Sequence, residues 1–183
     1  MSRIDFGPKP QLYPMPVLMI GTYDENGTPN VMNAAWGMIS DYNELKISMS
    51  THKTTDNIQK TGAFTVSMAT ISCMAACDYV GIVSANDVPD KFTRAGFHHT
   101  PSSHVNAPLI DELPMALECK LKSFEDGILT GEIVNVCADS SVLTDGKIDP
   151  AKLCPISFDP VNNTYLSLGT VIGKAFSDGK SLK

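Results

Sequence analysis

The chain has 183 residues, 43% of them hydrophobic, with a formal net charge of −6 and an isoelectric point near 5.1. That length suits one domain, read here as residues 1–183, with a sizeable core. The acidic balance excludes nucleic acid and an anionic membrane as partners, because there is no basic patch to release counterions.

No run approaches the roughly 18 apolar residues of a membrane span. Residues 1–11, with Asp5, Pro8 and Pro10, lack the apolar stretch of a signal peptide, so a cytoplasmic location is expected. Residues 16–23 form an apolar run and residues 24–29 (DENGTP) a turn around Asn26 and Gly27, after which residues 30–40 resume as strand. Asn-Gly between apolar runs is the strongest short-range hairpin signal. Residues 45–50 alternate as a strand, a short helix is expected from about Thr55, and residues 63–69 (AFTVSMA) give the next strand. Residues 72–80 read as helix, and residues 89–95 (PDKFTRA) as a helical turn opening on Pro89. A loop rich in Pro, Ser and His covers residues 97–108. Residues 115–124 and 128–138 alternate and are joined as a hairpin by Glu125, Asp126 and Gly127; residues 155–158 and 165–168 follow, with a turn at 160–163. Short strands, tight turns and occasional helices predict a mainly β fold with short helices, a closed or nearly closed antiparallel barrel. No strand-helix-strand rhythm or Gly-rich dinucleotide fingerprint is present, which argues against a Rossmann dehydrogenase.

The segment with most chemistry is Lys53, Thr54, Thr55, Asp56 and Asn57, one cation and two hydroxyls where a helix begins. Free N–H groups and the positive end of the dipole make a helix start an anion site. Two readings stand on these residues alone: Thr54 or Thr55 caps the helix beside a solvated Lys53, or the group cradles a phosphate. Capping is the simpler. Five cysteines, Cys73, Cys77, Cys119, Cys137 and Cys154, are an odd, scattered set that fits reduced thiols. Cys73 and Cys77 lie four apart, a spacing that allows a redox pair but is more simply a pair of small hydrophobes in a helix contact. His98, His99 and His104 form no recognisable zinc spacing with the cysteines, so no metal is expected.

The ordered segments PNVMNAAWGMIS (residues 29–40), LKISMSTHKTTDNIQKTGAFTVSM (45–68) and PDKFTRAGF (89–97) resemble the flavin reductase-like family of FMN-binding split barrels, and within it the flavoredoxins. The resemblance runs from about residue 16 to 171. One departure is Ser67, where many members of that family carry Asn. The resemblance implies an FMN-binding split β-barrel of antiparallel, Greek-key type, and a homodimer with one FMN per subunit beside the interface. It favours the phosphate reading, with phosphate contacts at Lys53, Thr54 and Thr55 and with Ser48 and Ser50 on the strand edge nearby. The flavin ring and ribityl chain are expected along Asn33, Ala34, Ala35 and Trp36, although Trp36 by itself reads as core. Asp90, Lys91 and Phe92 read by themselves as an exposed turn with a packing Phe; the resemblance implies that this loop closes over the cofactor edge, with Lys91 as a second cation and residues 79–85 lining the same cavity.

Because flavin carries the redox chemistry, no catalytic side chain is assigned. The expected function is an FMN-dependent oxidoreductase, a flavin reductase or flavoredoxin-like electron carrier, taking electrons from NAD(P)H or a redox protein. The alternative of a different class is a flavin-binding module or partner subunit without turnover of its own. A pyridoxal-phosphate or haem-binding split barrel is disfavoured by the lack of an Arg-rich phosphate clamp and of ligand spacing.

Overall fold

A computed structural model of the chain describes residues 2–182. After the two-residue strand β1 (Met15–Pro16), the hairpin strands β2 (Leu18–Tyr23) and β3 (Pro29–Ala34) turn around Asp24, whose Oδ1 accepts from the N–H groups of Asn26 and Thr28. Then come β4 (Gly37–Asp41), β5 (Glu44–Ser48), α1 (Lys53–Thr61) and β6 (Ala63–Met68). The predicted single stretch 30–40 is therefore two strands, broken at Ala35 and Trp36. Helices α2 (Met74–Ile82) and α3 (Lys91–Arg94) follow, then the short strands β7 (His99–Pro101), inside the expected loop, and β8 (Pro108–Ile110), which starts at its last residue. The long hairpin β9 (Met115–Glu125) and β10 (Ile128–Ala138) turns on Asp126 and Gly127, both at positive φ. Two short strands, β11 (Leu143–Thr144) and β12 (Lys147–Ile148), a helical turn α4 (Pro150–Leu153) and the pair β13 (Ile156–Asp159) and β14 (Thr164–Ser167) complete the body.

Seven strands make one antiparallel sheet in the order β3-β2-β6-β9-β10-β5-β4. Strands β3 and β4 are neighbours in sequence but occupy opposite edges. Three Cα steps separate Ala34 from Gly37, which spans at most about 11 Å, so the two edges must come together at that point and the sheet curls into a split barrel. Closure is tight there: a Cβ on Gly37 would lie 2.4 Å from Cδ1 of Leu18, across the barrel on β2.

Period-two alternation sends Leu18, Ile20, Leu45, Ile47, Phe64, Val66, Leu117 and Leu129 into the barrel. On the other side of the β2 and β3 half, Met19 and Val31 pack beneath α2 and α3 with Cys77, Val80, Phe92 and Phe97. This half of the sheet is covered on both faces, which is why β2 is buried at every position. By contrast β4 is exposed along most of its length. Among the described residues, no helix is long and apolar enough to cross a membrane.

Candidate functional site

Helix α1 starts at Lys53, two residues before the expected position, with His52 as its N-cap and Gly62 ending it at φ 71°. Lys53, Thr54 and Thr55 are thus the first three helical residues. The Thr55 hydroxyl accepts from the N–H of His52 at 2.8 Å and donates to the carbonyl of His52 at 2.7 Å, so this side chain belongs to the cap. Thr54 Oγ1 accepts from Asn30 Nδ2 at 2.8 Å, and Asn57 Nδ2 donates to Thr22 Oγ1 at 3.1 Å. These buried polar contacts seat the helix start on β2 and β3. Having accepted from Asn30, the Thr54 hydroxyl keeps its own proton to donate.

The helix start faces a small cleft of about 160 Å³ whose walls include His52, Lys53, Thr54, residues 80–85 and Lys91. Of residues 79–85, expected to line the same cavity as Lys91, residues 80–85 do so and Tyr79 does not. None of the lining residues is acidic, which matters in a chain of net charge −6. Lys91 is not on a solvent-facing turn, as Asp-Lys-Phe alone suggests: it is 3% exposed at the first position of α3. Its Nζ donates to the carbonyls of Val80 and Val83, each at 3.0 Å, and so closes the C-terminal end of α2 with a cation. Burial draws its pKa down from 10.5 to about 8.

A second, larger groove of about 770 Å³ lies at the β3 to β4 break, lined by Ala35, Trp36, Lys46, Ser48 and an N-terminal segment that includes Leu12 and Pro14. Trp36 is 55% exposed here, so it is not core. Met32 borders the cleft and Ala35 borders the groove. Three residues of extended strand separate them, about 10 Å, and Asn33 and Ala34 lie between. Asn33 Nδ2 donates to the Cys77 carbonyl at 3.0 Å, and its amide occupies the space that a Cβ on Gly81 would need, 2.3 Å away. Glycine at position 81 lets α2 approach β3 this closely.

Of the ten nominated residues, Lys53, Thr54 and Lys91 line the cleft, Ala35, Trp36 and Ser48 line the groove, and Asn33 and Ala34 connect them. Thr55 and Ser50 line neither, and Ser50 Oγ hydrogen-bonds His52 Nε2 at 2.9 Å. Lys46 was not nominated. Period two places it on the same side of β5 as Ser48, so the signal was present. Thr55→Ala is expected to cost about 1 kcal/mol by loss of the cap, seen as a lower urea midpoint; an unchanged midpoint would remove the cap from this account.

Residues 11–152 match the family described as flavin reductase like domain. The chain belongs to this family. Flavoredoxin of Desulfovibrio vulgaris (Miyazaki F) is 37% identical, superposes with a TM-score of 0.93, and the match covers 97% of this chain and 100% of that one. Flavoredoxin from Methanosarcina acetivorans is 27% identical with a TM-score of 0.90 and full coverage of both chains. An FMN-binding domain of a flavin reductase-like enzyme from Shewanella baltica OS155 shares the fold at 20% identity, with a TM-score of 0.78 over 87% of this chain and 88% of that one. The flavin reductase-like architecture is thus the split barrel expected from the sequence. Ser67, the noted departure, is fully buried with its hydroxyl unpartnered.

Proposed function

We propose that the chain binds FMN and acts as an oxidoreductase, a flavin reductase or a flavoredoxin-like electron carrier. The observation that carries this reading is an acid-free cleft holding a helix N-terminus, Lys53 and Lys91, one strand segment away from an apolar groove with an exposed Trp36. The donor set fits a phosphate near charge −2: two ammonium groups, the Thr54 hydroxyl and the first N–H groups of α1. Along β3, backbone N–H groups beside the small Ala34 and Ala35 suit a flat ring and its carbonyls. Bound FMN would supply hydride or single-electron chemistry at its ring. The protein's share is to hold the phosphate, keep the ring against β3 and leave one side open to a reactant such as NAD(P)H or a redox protein. The reading includes a homodimer, supported by the exposed apolar edge of β4.

The test is direct. Purified protein mixed with FMN should show the bands of bound oxidised flavin, and anaerobic NADH or NADPH, or a reduced redox protein, should bleach them. No binding would sink the cofactor assignment. Binding that no donor can bleach would leave a flavin-binding module.

The thiols are placed outside this chemistry. Cys77 is buried under the sheet and its thiol is pushed up to about 12 by burial, so little thiolate exists near neutrality for disulfide exchange. Cys73 Sγ donates to the Glu112 carbonyl at 3.4 Å. Replacing both by Ala is expected to cost roughly 1 kcal/mol of stability and to leave the flavin spectrum intact. A variant that keeps reducible FMN yet delivers no electrons would make the pair a redox relay instead.

A further inference from the structure

Beyond β14, residues 168–182 leave the body as an arm. Beyond the half-exposed Leu168 its large apolar side chains stand in solvent: Val171 is 93% exposed, Ile172 and Phe176 99%, and Leu182 90%. The end of the arm is nevertheless built. The Asp178 carboxylate accepts from the N–H of Lys174 at 2.8 Å, the N–H groups of Ser177 and Asp178 donate to the Lys174 carbonyl at 3.3 and 3.2 Å, and residues 178–182 make a 3-10 turn. Phe176 sits within this loop at φ 61°, in the left-handed region that a bulky non-glycine residue rarely adopts. In the single chain that conformation brings the phenyl ring no contact.

The same chain carries a matching vacancy. An apolar groove of about 340 Å³ opens at the mouth of the barrel, lined by Leu18, Ile39, Val66, Met68, Met115 and their neighbours. It runs onto the edge strand β4, where Met38 is 65% and Ile39 59% exposed. Methionine walls adapt readily to an incoming ring. Extended as far as Lys174, where the turn begins, the arm spans up to about 25 Å, enough to carry Phe176 beyond its own barrel toward a neighbouring molecule. Burying its four apolar side chains covers on the order of 500 Å²; reciprocated about a two-fold axis, with the matching groove area, this reaches the roughly 1,600 Å² of a stable interface. Beyond Leu168 the large apolar side chains of the arm stay at least nine-tenths exposed, and a second copy offers the same groove. We propose that the C-terminal arm of one chain, led by Phe176, docks in this groove of a second copy, so that two chains exchange arms. The proposal rests on the homodimer reading above and adds the segment that holds it together.

Light scattering on four proteins tests it: the full chain, a chain ending at Ser167, Phe176→Asp and, on the groove, Ile39→Asp. The full chain should be about twice 19.7 kDa, and each variant should dissociate at least tenfold more readily while retaining its circular dichroism. Mixing Phe176→Asp with Ile39→Asp should restore association, because one arm and one groove in each mixed pair remain intact. A photo-reactive benzoylphenylalanine at position 176, in mixed heavy- and light-isotope chains, should cross-link to β4, β6 or β9 of the other chain. A truncated chain that dimerises as tightly as the full one, or cross-links confined to its own chain, would overturn the arm exchange while leaving the homodimer standing. A full chain that stays monomeric at every concentration would overturn both, and FMN titration of the same samples reads the cofactor assignment separately.

Discussion

Lys53→Ala is expected to weaken FMN at least about tenfold while changing riboflavin affinity by less than about twofold, since a charge-assisted contact contributes on the order of 1.5–3 kcal/mol. The two ligands share ring and ribityl chain and differ only in the phosphate. Lys53 stands at the first position of α1, where its ammonium and the free N–H groups of the helix start address the same cleft. Half-buried rather than enclosed, it is partly screened, so the FMN-specific loss should shrink as salt is raised. Calorimetric titration of both ligands into both proteins decides the matter. Equal losses for FMN and riboflavin would move the phosphate out of the cleft.

Most strands were legible because alternation and turn chemistry act locally. Asp126 and Gly127 take the positive φ that their residue types permit, and β9 and β10 fall within a residue of the expected bounds. The β3 to β4 break was not legible. Residues 30–40 are apolar on both sides of it, and only closure of the sheet decides that Ala34 and Gly37 belong to opposite edges. The expected start of α1, about Thr55, lies two residues late because Thr54 and Thr55 are both of the type that caps a helix, while His52 takes that place. Thr55 serves as the third helical residue, whose hydroxyl reaches back to the N–H of His52. Residues 139–153 carried readable signals in Asp139 and in Asp149 before Pro150, both of which accept from a backbone N–H two residues on. For Lys91 no local signal exists: Asp-Lys-Phe is a surface pattern, and the residue is buried only because α3 packs against the end of α2.

Raising the pH from about 7 to about 9.5 is expected to weaken FMN by about tenfold while raising the contribution of Lys91 to the stability of the apoprotein. Both trends come from Lys91, whose pKa burial lowers from 10.5 to about 8. In the unfolded chain the amine holds its proton up to its ordinary pKa of about 10.4, so between the two values the unfolded state binds more protons. The Lys91 contribution to stability therefore rises with pH across that window, and the cost of burying the charge is fully present only below about pH 8; the buried Cys77 and Cys119 thiols, both pushed up to about 12, pull the other way above about pH 8.5, so the Lys91 share is read as the difference from Lys91→Met. Ligand binding runs the other way. A phosphate in the cleft favours the protonated amine, so affinity is lost as that proton leaves. The phosphate's own second ionisation, near pH 6, is complete before this window opens. Lys91→Met keeps the apolar stem but leaves the Val80 and Val83 carbonyls without their donor; the FMN trend should flatten, and the rising share of the stability trend should vanish. Fluorescence titrations with FMN and riboflavin at several pH values, beside thermal melts of the apoprotein, read both trends. An FMN affinity that falls equally steeply in Lys91→Met would assign the proton to another group.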